Sequence, residues 1–126
     1  MNIALWLVAA LLAVSFLAAG GMKLARSKDK LASSGMAWTE DFSANTVKLI
    51  GTAEILGAIG LILPPLVNIA PVLAPIAAIG LALTMAGAVV THLRRKEGRD
   101  ALAPLVLLLL AVFVAVGRLA LVPFGA

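Results

Sequence analysis

The chain has 126 residues, 63% of them hydrophobic and 13% charged, with a mean hydropathy of +1.12. Soluble domains run near half apolar and a quarter charged, so this composition excludes a soluble globule and describes a membrane protein. The chain has no cysteine, which excludes disulfides, thiol chemistry and thiolate metal sites, and its length suits a single domain.

The net charge of +4 would suit nucleic acid only if the bases formed one patch. They cluster instead beside apolar runs, as the cytoplasmic flanks of membrane spans do when they face anionic headgroups. Nucleic acid is therefore not an expected partner, and the lipid bilayer is.

Residues 1–22 carry no charged side chain, residues 49–91 carry only Glu54, and residues 101–126 carry only Arg118. A helix needs roughly 20 residues to cross the hydrocarbon, so the outer blocks hold one span each and the middle block holds two. The expected fold is an all-α integral membrane four-helix bundle with spans near 3–24, 45–63, 72–92 and 101–122.

The first span starts without a basic residue ahead of it, and its bases follow from Lys23 onward. A cleaved signal peptide has the reverse order, so a retained span is expected. Between spans one and two, residues 27–38 mix charges, Ser33-Ser34-Gly35 and Trp38, which predicts a loop or short helix at the interface. Thr39 followed by Glu40 and Asp41 reads as an N-cap with acids in the first turn, so span two could begin there. The segment from Pro64 to Pro71 predicts the turn between spans two and three. The first loop holds Lys23, Arg26, Lys28 and Lys30, the third holds Arg94, Arg95, Lys96 and Arg99, and the second holds no base. The basic loops stay cytoplasmic, which places both termini on the other side.

Glu54 is the one acid within a span. At 100° per residue, Ile55, Leu56, Ile59, Ile62 and Leu63 fall on one side of span two, while Gly51, Ala53, Glu54, Gly57, Ala58 and Gly60 fall on the other. Small residues let membrane helices approach closely, so Glu54 is expected on the packing face. Facing lipid it would cost at least ~2.5–3.5 kcal/mol. On span three, Ala77, Gly80, Thr84, Gly87 and Thr91 recur at spacings of three and four and read as a packing seam.

Arg118 is the first candidate partner for Glu54. Counted from the outer ends of their spans the two levels differ by roughly 7 Å, and by about twice that from the inner ends. Lys23 and His92 compete for the role from the cytoplasmic ends, where Lys23 can snorkel to the headgroups. His92 is the only histidine, so a bis-histidine haem is excluded, and no haem or metal is expected. An intramembrane ionisable residue is by default a functional hypothesis, and its alternative is an ion pair that fixes helix register.

The runs GGMKL in span one, IGTAEILGAIGLILP in span two and PIAAIGLALTMAGAVVTHLRR in span three, with a late arginine in span four, resemble the DoxX-like family of small bacterial membrane proteins. The resemblance implies a four-helix bundle in the bacterial cytoplasmic membrane. It also implies a link, for some relatives, to quinone-coupled oxidation such as that of the thiosulfate:quinone oxidoreductase membrane subunits. With no cysteine, tyrosine or histidine pair, the chain has no residue set of its own to carry electrons.

The expected function is therefore an accessory subunit that binds a quinone or similar apolar small molecule. The candidate ligand or proton-relay residues are Glu54, Arg118, His92 and Lys23, with electron carriers on membrane or peripheral redox partners. The alternative is a non-catalytic anchor or assembly factor that packs through its glycine-rich faces. A transporter ranks last because the two halves show no internal repeat. So small a bundle is expected to self-associate.

Overall fold

The computed structural model describes residues 1–33, 36–121 and 123. Ser34, Gly35 and Val122, the last of which closes the expected fourth span, lie outside these. Helix α1 runs Asn2–Ala25 and the short α2 runs Lys28–Ser33. A 3-10 turn covers Ala37–Asp41, and α3 (Ala44–Leu66), α4 (Leu73–Arg94) and α5 (Leu102–Val116) follow. A π-helical turn, Gly117–Leu121, extends α5. No strand occurs among the described residues. The four long helices, counting α5 with its extension, are each long and apolar enough to cross a membrane.

The second span starts where expected, without the alternative earlier start at Thr39, and ends later. Thr39 is not the cap of the second span: its hydroxyl donates to the Met36 carbonyl at 2.7 Å inside the 3-10 turn. The cap is Ser43, whose oxygen accepts from the Thr46 N–H at 3.1 Å and so satisfies one orphan donor of the first turn. At the other end α3 continues through Pro64 and Pro65 to Leu66. Proline's fixed φ is helical, so near a helix end it costs the chain a hydrogen bond without breaking the helix. The stop is Asn68, which takes a left-handed φ of 57°, after which the Ile69 N–H closes back onto the Pro64 carbonyl at 3.0 Å. This is the Schellman ending, with asparagine in the place glycine usually fills.

The helices form a ring in which α1 packs on α3, α3 on α4, α4 on α5 and α5 back on α1. Short connections make α3, α4 and α5 antiparallel neighbours. Leu12, Phe16, Ala58, Leu61, Leu81, Met85, Ala111 and Val114 share the core, while Leu7, Leu11, Leu56, Leu83 and Leu109 point outward. An apolar exterior of this extent is what a bilayer covers.

Between α1 and α3 the two backbones themselves come into contact. A Cβ placed on Gly20 would sit 2.6 Å from the Gly51 carbonyl oxygen, and one on Gly51 would sit 2.8 Å from the Lys23 Cβ. Only glycine permits this approach. Gly20→Ala should therefore push the two helices apart and destabilise the bundle by about 1–3 kcal/mol, the usual range for overpacking. Gly21→Ala, where nothing lies within 4 Å of the new methyl, should leave stability nearly unchanged. Unfolding in mixed micelles with increasing denaturing detergent compares the two.

Candidate functional site

The glycine contact positions a pair of charges. Lys23 lies three residues after Gly20 and Glu54 three after Gly51, on the same faces as the glycines. Side chains of a helix lean toward its own N-terminus, so across an antiparallel pair Lys23 leans into the bundle and Glu54 leans back toward the loops. They meet: Lys23 Nζ lies 2.7 Å from Glu54 Oε1. Both residues are buried, at 5% and 1% exposure. At that distance the ion pair is also a charge-assisted hydrogen bond, with the ammonium donating to Oε1. Above the ammonium, the Trp38 ring centroid lies 5.6 Å from Nζ, within cation–π range.

This pair forms part of the wall of a cavity of about 540 Å³, a size typical of small-molecule sites. Phe16 and Ala19 of α1, Ile50 of α3, Met85 and Ala88 of α4, and Pro104 and Leu107 of α5 supply its apolar lining, with the outward-facing Leu83 of α4 at its open edge. The polar lining comes from Ser15, Lys23, Glu54, Thr84, Thr91 and His92, and Met36, Trp38 and Phe42 bound it on the loop side. Trp38 and Phe42 pack edge to face at 5.7 Å, which stiffens that side.

His92 is held at the same end by the way α4 stops. Lys96 adopts a left-handed φ of 59°, and the Lys96 and Glu97 N–H groups return to the Leu93 and His92 carbonyls. That closure folds Glu97 back over the last turn, where its Oε1 lies 3.0 Å from His92 Nδ1. Glu97 Oε2 accepts from Arg95 Nε at 3.3 Å, and Arg95 Nη1 donates to Asp41 at 2.9 Å. Asp41 ends the 3-10 turn that carries Trp38, so this chain of contacts ties the loop to the end of α4. The Glu97 carboxyl is held below its ordinary range, first by the hydrogen bond with His92 and then by Arg95. Its contribution is thus present above the ordinary carboxylate value and is lost as acidification passes through the lowered one.

Of the four residues named from the sequence, Glu54, Lys23 and His92 line one cavity. Arg118 does not join them. It is buried near the opposite end of the bundle, where Nη1 donates to Asn2 Oδ1 at 2.7 Å and the guanidinium stacks 5.7 Å from Trp6. Asn2 and Lys23 are separated along α1 by roughly 30 Å at 1.5 Å per residue. The expected seam on α4 holds only in part: Ala77 packs against Gly60 of α3, but the residues fully buried against neighbours include Ala74, Ala78, Leu81, Ala82 and Met85. Thr84, Gly87 and Thr91 line the cavity instead. Trp38, Glu97, Arg95 and Asp41 were not singled out as site residues. Glu97 had one legible signal, its place just beyond a helix that ends in His92.

Two outcomes follow from this geometry. Lys23→Met alone leaves a buried carboxylate without a counter-ion and should cost about 3–5 kcal/mol, whereas Lys23→Met with Glu54→Gln should recover most of that loss; detergent unfolding of the four proteins in the cycle measures the coupling. Asp41→Asn removes an exposed pair of modest strength and should raise the open-loop population by up to about fivefold, read as acrylamide quenching of Trp38 in a Trp6→Phe background.

The model of the DoxX-like family matches residues 7–114. Neither a search of curated proteins nor one of solved structures finds a match. The match takes in most of all four spanning helices, together with Lys23, Glu54 and His92, and on that extent this multi-pass membrane protein belongs to the DoxX-like family.

Proposed function

We propose that this protein is a ligand-binding subunit that holds an apolar small molecule, of the size and shape of a quinone ring, inside its bundle. It would serve a membrane redox or stress-response system whose electron carriers lie on other chains. The observation behind this reading is the cavity of about 540 Å³ with largely apolar walls and a buried Lys23–Glu54 pair among them. Packing alone gives no reason to leave such a space beside a charged pair, since bundle interiors fill to near-crystalline density.

In this reading Lys23 takes the part first considered for Arg118, offering a donor to a ring oxygen, and Glu54 is the group able to hold a proton at Oε1. His92 stands at the end of the cavity where protons can exchange with the loops. The basic loops on that side support an orientation toward the cytoplasm of a bacterial inner membrane.

A second reading, a membrane anchor, draws on a groove of about 340 Å³ between α3 and α4, lined by Gly57, Gly60, Ala77 and Gly80. A partner helix could approach closely there.

Mass spectrometry of protein purified in mild detergent separates the two. The ligand reading expects an apolar molecule to copurify, to fall at least about tenfold with Lys23→Met/Glu54→Gln, and to vanish with Ala88→Phe, which fills the cavity without touching the charges. Retention of the molecule in both variants would refute it. The anchor reading expects Gly80→Leu to strip copurifying membrane proteins while the two cavity variants keep them.

A further inference from the structure

The cavity's polar groups are strongly one-sided. The Ser15, Thr84 and Thr91 hydroxyls each donate to the carbonyl one turn earlier, those of Leu11, Gly80 and Gly87, at 2.8–2.9 Å. Each therefore presents only lone pairs, and to donate elsewhere it must give up its backbone bond. Glu54 is a buried carboxylate that can only accept, and beyond the Lys23 contact at Oε1 it keeps free lone pairs. Glu97 is ionised beside Arg95 and can only accept, so His92 Nδ1 must carry the hydrogen between them. In the neutral form of the ring, Nε2 is then an acceptor. Against these acceptors stand two side-chain donors: the Lys23 ammonium, already engaged by Glu54 and Trp38, and the indole N–H of Trp38 on the loop side.

A ligand that brings only acceptors leaves most of these groups unanswered, whereas one that brings O–H groups satisfies them. We infer that the cavity selects apolar molecules bearing hydroxyl donors, alkylphenols or hydroquinones, over the matching ethers or quinones. This rests on reading the cavity as a ligand site and names the chemistry of its occupant. A buried acceptor left without a donor is costly, so discrimination of about tenfold per donated hydrogen bond is expected. For a quinone couple, a tenfold preference for the reduced form raises the potential of the bound couple by about 30 mV.

The test compares a long-chain 4-alkylphenol with its methyl ether, which has the same apolar body and no donor. Each is titrated in mildly alkaline buffer into the protein in nanodiscs and referred to its own partition into protein-free nanodiscs. The phenol should bind about tenfold more tightly than the ether. Thr84→Val/Thr91→Val removes two acceptors while keeping the side-chain shape, and should bring the two ligands toward parity mainly by weakening the phenol.

Equal or tighter binding of the ether to the unaltered protein would overturn the inference and leave the ligand reading standing. A phenol preference unchanged in the double valine variant would overturn it as well. Binding of neither probe beyond partition would overturn both the inference and the reading on which it rests.

Discussion

A carboxylate and an ammonium are tolerated inside a membrane helix bundle only if they find each other, because hydrocarbon offers neither of them a shell of water. In this protein they meet through the backbone contact of Gly20 with Gly51, which brings α1 and α3 close enough for Lys23 to reach Glu54. The opposed lean of side chains on antiparallel helices does the rest. Much of the architecture near the loops depends on that meeting. A methyl group at either glycine would separate the helices, and separated charges would each have to find water or lose their charge.

Such a pair is a weak source of net stability, since desolvation offsets most of the attraction. It fixes register, and a bundle of helices with smooth apolar faces gains from that. Register does not explain the space beside it, however. Thr84, Gly87 and Ala88 are too small to fill the interior opposite Lys23 and Glu54, and the loop covers the opening with Met36, Trp38 and Phe42 instead of plugging it. A charged pair that served only as a staple would be better sealed by large side chains. The combination of a polar wall, an apolar volume and a tethered loop is what supports the proposed ligand site.

The two ends of the bundle differ in kind. Toward the loops, the Asp41–Arg95–Glu97–His92 contacts couple the cover of the cavity to the last turn of α4. At the far end, Arg118 is packed against Asn2 and Trp6, with Gly117 giving room to Leu5. That end joins α1 to the π-helical extension of α5 and closes the ring. Charge is thus spent at one end on shaping a cavity and at the other on holding helices together.

The sequence by itself determined the four spans, because uninterrupted apolar runs of bilayer length have no other stable solution in water or lipid. It also determined that Glu54 turns inward, because Ile59 and Leu63 on the opposite face and glycines on its own face leave one orientation that avoids exposing charge to lipid. It placed the start of α3 within one residue, left Thr39 open as an earlier start, and ended the helix three residues early. Thr39 and Ser43 are both chemically able to cap, and proline's helical φ lets the chain pass Pro64 and Pro65 in a last turn. Tertiary structure alone decided which cation answers Glu54. Helix levels counted from uncertain span ends could not separate Arg118 from Lys23, and that choice depends on where two helices cross and how their side chains lean. It alone decided, too, that the small residues of α4 border a cavity. A small side chain marks a close approach or an empty space equally well, and only the positions of the neighbouring helices distinguish the two.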